Sequence, residues 1–243
     1  MAFWIFGKKE YKSQYNLFTD IHSHILPGID DGAKVLSESL DMLKAMQEAG
    51  YKRLITTPHI MADVYKNTPA SIRNKLEELK KEAKRNGIEI EIEAAAEYYL
   101  DDGFIKHLES GDMLYFGRNY LLFETSYMDR PINLEEMIFQ MQSIGYTPVL
   151  AHPERYRYIN NLEYEYKKLK ELGVLFQLNL NSLIGGYGKS AKKKAEFLIK
   201  KGMVSFLGSD VHSLKHIEGI KRVKSLEVFD TIFKNNNILN DTL

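Results

Sequence analysis

The sequence predicts a single-domain α/β fold whose parallel strands close into a barrel. Three observations carry this. Apolar β-rich runs alternate with helical stretches along most of the chain. A length of 243 residues suits one large α/β barrel. Side chains of metal-ligand type recur where the predicted strands stop. Only a closed barrel brings all those ends to one rim; an open sheet would spread them along a line.

Seven runs rich in Ile, Val, Leu, Phe and Thr read as buried strands: 17–22, 53–57, 88–97, 120–124, 147–151, 174–180 and 204–208. The stretches between them carry helix start and stop signals. Ser37 is placed to cap a helix with Leu40 and Leu43 on its inner face, ending at Gly50. Thr68 precedes Pro69 at a first-turn position, and Ile72, Leu76, Leu79 and Ala83 recur at helical spacing up to Gly87. Asn133 with Glu136 three residues on reads as a capping box, and Gly145 closes that helix. Gly173 and Gly202 close two more. Strands alternating with helices in this way make parallel βαβ units.

No Pro/Gly/Ser-rich linker or low-complexity tract divides the chain, so residues 17–234 read as one barrel. Residues 1–16 read as a polar-basic extension with an apolar tip of Phe3, Trp4, Ile5 and Phe6. Residues 235–243 read as a tail expected to fray.

Composition excludes several classes. Hydrophobic residues make up 44% and charged residues 27%, which supports a substantial core and argues against global disorder. Lys plus Arg number 33 and Asp plus Glu 33, a balance that argues against a nucleic-acid coat protein or a polybasic membrane binder. Cysteine is absent, which excludes disulfides, Cys-rich zinc sites, thioredoxin-like redox chemistry and a cysteine nucleophile. No apolar stretch approaches the ~20 residues that cross a bilayer, and the tip at 2–6 is too short for a secretory core. The expectation is a cytoplasmic protein without membrane insertion and without a nucleic-acid partner.

The strand ends carry the chemistry. The first gives His22 and His24, with Asp30 and Asp31 in the loop behind; the second gives His59. The third gives Glu97, the fourth Glu124, the fifth His152 and the seventh Asp210 with His212. Imidazoles and carboxylates are the ligands of borderline and hard divalent metals. His-x-His at a strand end puts two imidazoles on one face, because side chains alternate with period two. A mononuclear site takes three or four protein ligands, so the five histidines with Asp31, Glu97, Glu124 and Asp210, nine candidates, point to two or three ions.

Each piece alone has a plainer reading. Glu97 shares parity with Glu89, Glu91 and Glu93, the pattern of a solvated strand edge. His59 after Pro58, and His152 before Pro153, are also turn residues. The joint pattern decides, because five of the seven histidines fall at strand ends. His107 and His216 lie in helical stretches and take no role.

A positive group stands beside this rim. Arg155 follows His152, and its planar fork suits bidentate phosphate recognition; the plain alternative is an Arg paired with Glu154 or another carboxylate. The loop Gly185-Gly186-Tyr187-Gly188 with Lys189 is open to either substrate contact or a simple Gly-rich turn, and Lys192, Lys193 and Lys194 read as the solvated face of a helix.

In order, these residues are Asp20-Ile21-His22-Ser23-His24 running on to Asp30-Asp31-Gly32, then Thr57-Pro58-His59, Glu97, Glu124, Ala151-His152-Pro153-Glu154-Arg155 and Ser209-Asp210-Val211-His212. The series resembles the PHP (polymerase and histidinol phosphatase) family. Within it, the chain is most similar to the bacterial metal-dependent protein-tyrosine phosphatases of capsule and exopolysaccharide operons. That resemblance implies a distorted seven-stranded (β/α)7 TIM-like barrel, the PHP fold, holding three divalent ions. Manganese is the usual metal, with iron or zinc as alternatives. Carried over by position, it implies one ion on His22, His24, Glu97 and Asp210, a second on Glu97, Glu124 and His152, and a third on Asp31, His59 and His212. Arg155 then holds the substrate phosphate.

The implied substrate is phosphotyrosine on a protein, with the tail of a bacterial tyrosine autokinase as partner. With no cysteine for a cysteinyl intermediate, the expectation is direct attack on phosphorus by water that bound metals would activate. Two departures stand out: about 19 residues precede the Asp-x-His motif, and Lys215 and His216 stand where relatives often carry a second Arg. Two rival enzymes share this kind of scaffold: a phosphatase of small phosphomonoesters such as histidinol phosphate, and an amidohydrolase, which commonly carries a carboxylated Lys where this chain has Glu97. A third reading is a non-catalytic metal barrel that binds a kinase or export partner.

Overall fold

A computed structural model describes residues 11–243; the apolar tip at Phe3–Phe6 and most of the extension lie outside the described residues. One of the seven apolar runs, 88–97, is broken, and another, 53–57, is followed by an extra short strand. Pro58 has no N–H for a ladder, and it separates β2 (Arg53–Thr56) from β3 (His59–Ile60). Ala95 and Ala96 separate β4 (Glu91–Ala94) from β5 (Glu97–Tyr99). With β1 (Thr19–Asp20), β6 (Tyr120–Glu124), β7 (Thr147–Ala151), β8 (Leu175–Asn179) and β9 (Phe206–Gly208), the described residues form nine strands where seven were read. They pair in parallel as two sheets, β1-β2-β4 and β3-β5-β6-β7-β8-β9.

Backbone bonds carry the pairing across the breaks. Ala95 N donates to Thr56 O at 2.9 Å and Glu97 N to Pro58 O at 3.1 Å. The first and last strands also meet beyond their ladders. Ser23 bridges Val211 in parallel, and His24 N donates to Val211 O at 2.9 Å.

Eight α-helices among the described residues cover the outer face: α1 (Leu36–Glu48), α2 (Pro69–Arg85), α3 (Asp102–Ser110), α4 (Leu134–Ser143), α5 (Leu162–Glu171), α6 (Gly188–Lys200), α7 (Leu214–Lys224) and α8 (Glu227–Asn235). Thr68 caps α2 as expected, with a reciprocal bond to Ser71, and Ile72, Leu76, Leu79 and Ala83 are its buried stripe. Two other caps differ. Helix α1 starts at Leu36 after an extended Val35, so Ser37 lies inside it, and Glu38 reaches back to Lys34 N at 2.7 Å. Asn133 precedes α4, but its backbone (φ −96, ψ 17) is not extended, so its side chain makes no cap bond.

The alternation of side chains sorts the core into two clusters. Ile21, Ile55, Ala95, Leu122, Val149 and Phe206 belong to an inner one. The larger cluster, with Leu121, Phe123, Leu150 and Phe176, lies between strands and helices. Two residues up the same strand face from Ala95, Leu122 and Phe206 come Glu97, Leu122's neighbour Glu124, and Gly208 followed by Asp210. The inner face thus changes from apolar to ligand-bearing toward the carboxyl ends.

The tail does not fray. Asn240 is fully buried; its side chain accepts from Leu207 N and donates to Leu207 O and Thr19 O. Asp241 accepts from Phe18 N and Thr19 N. Leu239 and Leu243 pack on the inner cluster. Lys194 also departs from the solvated-face reading: it is buried, and its ammonium donates to Tyr156 O.

Candidate metal centre

All nine predicted ligands reach one pole of the strands. Four groups bring their donor atoms within 4.8 Å of one another: His24, Asp31, His59 and His212; His22, Glu97 and His152; His22, His24 and Asp210; and His59, Glu97 and Glu124. Glu97 is shared. Its Oε2 lies 3.1 Å from His22 Nε2, 3.4 Å from His24 Nε2 and 3.2 Å from His59 Nδ1, and its Oε1 lies 2.9 Å from His152 Nε2. Glu97 is fully buried, so the break after β4 removes it from the solvated edge that its parity with Glu89, Glu91 and Glu93 offered.

Partners outside the cluster set how the imidazoles point. His22 Nδ1 pairs with Gln177 Oε1 at 2.7 Å, His24 Nδ1 with Asp30 Oδ2 at 2.8 Å, and His212 Nδ1 with Asp210 O at 2.9 Å. A carbonyl or carboxylate oxygen accepts a hydrogen bond from Nδ1–H, so that the neutral ring turns its Nε2 lone pair inward. Asp31 uses its other neighbours: its Oδ1 is 3.3 Å from His212 Nε2 and 3.5 Å from His59 Nε2.

The donor set fits divalent ions. His59 Nδ1 lies 3.0 Å from Glu124 Oε1 and 3.2 Å from Glu97 Oε2, yet it is buried with no hydrogen-bond partner. His22 Nε2 and His24 Nε2 face each other at 3.3 Å. Imidazole nitrogens and carboxylate oxygens gathered this closely, with His59 Nδ1 lacking a hydrogen-bond partner, are the donor types that divalent cations take. Burial pushes the Glu97 carboxyl up, but His22 and His59 outweigh it and hold Glu97 well below the usual carboxylate range. Burial, aided by Arg155, pushes His152 down, which keeps it neutral.

The backbone is bent to deliver two of these groups. His152 (φ 33) and Asp210 (φ 48) are both left-handed, a conformation uncommon for residues other than Gly. Two glycines allow close approach. A Cβ on Gly32 would sit 2.0 Å from His24 O, and one on Gly208 would sit 2.3 Å from Gln177 Nε2 and 2.8 Å from His22 Cβ.

Arg155 stands over the cluster. Its Nη1 donates to Asp210 Oδ2 at 2.8 Å, and its guanidinium is sandwiched between the rings of Tyr127, at 4.5 Å, and Tyr187, at 4.3 Å. Burial disfavours its charge, but Asp210 outweighs burial and pushes its pKa above the ordinary value. Glu154 is not its partner. That carboxylate turns away to accept from Asn179 N and Ser182 Oγ, and burial raises its pKa to about 7.

The pole opens into a cavity of about 660 Å³. Tyr187, from the Gly-rich loop, lines it and donates to Asp210 Oδ2 at 3.0 Å, while Lys189 is exposed. Of the pair at the second-Arg position, His216 lines the cavity and Lys215 is exposed.

Sequence reasoning passed over Gln177, Asn179, Tyr127 and Tyr65. A signal existed for two of them: Gln177 and Asn179 are polar residues of equal parity inside an apolar strand, β8. Tyr65, which stacks on His59 at 5.4 Å, comes from a loop with no pattern to betray it.

The chain matches the family described as "Capsular polysaccharide synthesis, CpsB/CapC" over residues 18–223. It is 33% identical over 197 residues to the tyrosine-protein phosphatase YwqE of Bacillus subtilis, covering 81% of this chain and 78% of that one. It is 27% identical over 201 residues to the tyrosine-protein phosphatase CpsB of Streptococcus pneumoniae, covering 80% and 83%. A solved structure from work on YwqE and CpsB, described as metal-dependent tyrosine phosphatases, superposes with a TM-score of 0.79 at 31% identity, over 89% of this chain and 90% of that one. A lactonase of Listeria monocytogenes shares only the fold, with a TM-score of 0.54 at 13% identity over 96% and 97% of the chains. By the extent of the family match and the identity to YwqE, this chain belongs to the CpsB/CapC family of capsular polysaccharide synthesis.

Proposed function

We propose that the chain is a metal-dependent phosphatase that removes phosphate from tyrosine on proteins, its partner being the tail of a bacterial tyrosine autokinase in the cytoplasm. One observation carries the reading: the nitrogen and oxygen donors of nine His, Asp and Glu residues converge beneath an arginine clamped between Tyr127 and Tyr187. The relatives named as tyrosine phosphatases support it.

The ligand assignment follows the resemblance. His22, His24, Glu97 and Asp210 would hold one ion, Glu97, Glu124 and His152 a second, and Asp31, His59 and His212 a third; the donor groups that lie together overlap these sets, with His59 also beside Glu97 and Glu124, and His22 beside His152. Manganese suits this mixed nitrogen and oxygen set. Divalent cations held there would supply positive charge beside the phosphoryl group and lower the pKa of bound water toward neutrality.

The protein's own groups do the rest. Asp210 gives Oδ2 to Arg155, Asn179 and Tyr187, which leaves Oδ1 for the cluster. Arg155, fixed by that carboxylate and two rings, presents its remaining N–H donors to the phosphoryl oxygens. Burial and Asp210 push the Tyr187 hydroxyl pKa well up, so it stays a proton donor.

The rim favours an aryl group on a protein over a small polar phosphomonoester. Val64 is 62% and Met128 57% exposed, and both line the mouth with Tyr65 and Tyr127. The two sheets act as one distorted seven-stranded barrel spanning 17–234. Asp20 supports that closure by accepting from Ser209 N at 2.8 Å and Ser209 Oγ at 2.6 Å across the seam between β1 and β9.

The test is to purify the protein without chelator, quantify its metals, strip them, and restore each in turn against phosphotyrosyl peptide and histidinol phosphate. Metal-restored hydrolysis of the peptide is expected. Hydrolysis of histidinol phosphate alone, or activity indifferent to metal, would reject the reading.

A further inference from the structure

Resting on the phosphatase reading, we propose that a side groove off the catalytic cavity is a subsite for an acidic residue flanking the phosphotyrosine, with Arg157 as its specificity-determining group. The groove has a volume of about 400 Å³ and is lined by Tyr127, Met128, Arg155, Arg157 and Tyr187. Four of these five also line the main cavity, so the two spaces are continuous and share the Tyr127–Arg155–Tyr187 wall. A peptide whose phosphate meets Arg155 therefore has its neighbouring residues within reach of the groove.

Charge sets what the groove accepts. Two guanidinium groups line it and no carboxylate does. Arg155 is committed to Asp210. Arg130 is tied to Glu135 and Glu165. Arg157 is exposed and makes no ion pair among the described residues; Asp129, though next to Met128 in sequence, does not line the groove. The Arg157 backbone is held in place, because its N–H donates to Tyr127 O at 2.7 Å. An unpaired guanidinium on a fixed base, over a half-apolar floor of Tyr127 and Met128, fits a side chain with a short apolar stem and a carboxylate end.

The test uses the metal-loaded full chain and labelled peptides that carry a non-hydrolysable difluoromethylphosphonate in place of the tyrosyl phosphate. One peptide has Glu at the two positions on each side, and the other has Gln there. An exposed ion pair of this kind supports a preference of about three- to fivefold in Kd for the Glu peptide, and the preference should fade with added salt. In Arg157→Gln the two peptides should bind alike. Equal binding to the wild type, a preference that survives Arg157→Gln, or no binding of either peptide overturns the subsite. Hydrolysis of 4-nitrophenyl phosphate by the same preparation reports on the parent reading separately. Turnover without a flank preference removes the groove and keeps the phosphatase, while a flank preference without turnover does the reverse.

Discussion

Gln177 Oε1 lies 2.7 Å from His22 Nδ1 and also accepts from His152 N at 3.3 Å, so one amide orients two candidate ligands. Its Nε2 donates to Asn179 Oδ1 at 2.8 Å, and Asn179 Nδ2 donates to Asp210 Oδ2 at 2.7 Å. A single strand, β8, thus supplies no candidate ligand but ties three of them, His22, His152 and Asp210, together. Outer partners of metal-binding imidazoles fix tautomer and ring angle, and losing one typically costs about 10–100-fold in metal affinity. Gln177→Leu is expected to weaken metal binding by that order and leave the far-UV circular dichroism unchanged. A metal titration matching the wild type would contradict the role.

Arg155 separates phosphate binding from metal binding. It touches Asp210 but offers no lone pair to a cation. Arg155→Ala should lower kcat/KM toward an aryl phosphate by about 10²–10³-fold, the usual loss for one donor to a charged transition state. Arg155→Lys should recover little, because an ammonium cannot reproduce the fork held between Tyr127 and Tyr187. Metal content by elemental analysis should stay near that of the wild type. Near-normal turnover in Arg155→Ala would remove the arginine from the reaction.

Gly208 tests the packing around the same amide. Its backbone is the last residue of β9, and a Cβ there would press on Gln177 Nε2 at 2.3 Å and His22 Cβ at 2.8 Å. Neither neighbour yields freely, since Gln177 is fully buried and hydrogen-bonded at both ends. Gly208→Ala should cost about 1–3 kcal/mol of stability, the range for overpacking a core, and weaken metal binding along with it. Denaturant melts with and without added metal would show both effects; a variant as stable and as metal-rich as the wild type would refute the clash.

Much of this site was legible because strand chemistry and metal chemistry use different residues. Isolated His and carboxylates at the ends of apolar runs, as at His59, Glu124 and His152, have few structural duties in a core. Helix limits were legible where the backbone forces them: Gly145 has φ +102 and Gly173 φ +79, and the Thr68–Pro69 start is a cap by side-chain geometry. The rest was hidden where one residue type serves two ends. Asn133 looks like a cap but sits in a turn whose dihedrals point its side chain away, and Ser37 lies two residues past the cap position at Val35. Lys194 reads as solvated among three lysines, yet Tyr156 O, brought close by the Pro153–Arg155 turn, takes its ammonium inside. Such partners are distant in sequence, and no local pattern announces them.

The tail gives the largest such surprise. Asn235, Asn236 and Asn237 look like a polar end, but Asn236 accepts from Val204 N and Asn240 clamps Leu207 and Thr19. Asn240 sits where β1 and β9 adjoin, so its amide satisfies backbone groups on both of the strands that would otherwise be open edges. Asn240→Ala removes three bonds and leaves Leu207 N, Leu207 O and Thr19 O buried without partners. Each buried orphan costs about 1–3 kcal/mol, partly relieved by water at this end, so a net loss of about 2–4 kcal/mol is expected. Because the cluster lies at the opposite pole, metal content per folded molecule should be unchanged at temperatures where the variant is folded. A thermal midpoint within a degree or so of the wild type would mean that the tail contributes nothing to closing the seam.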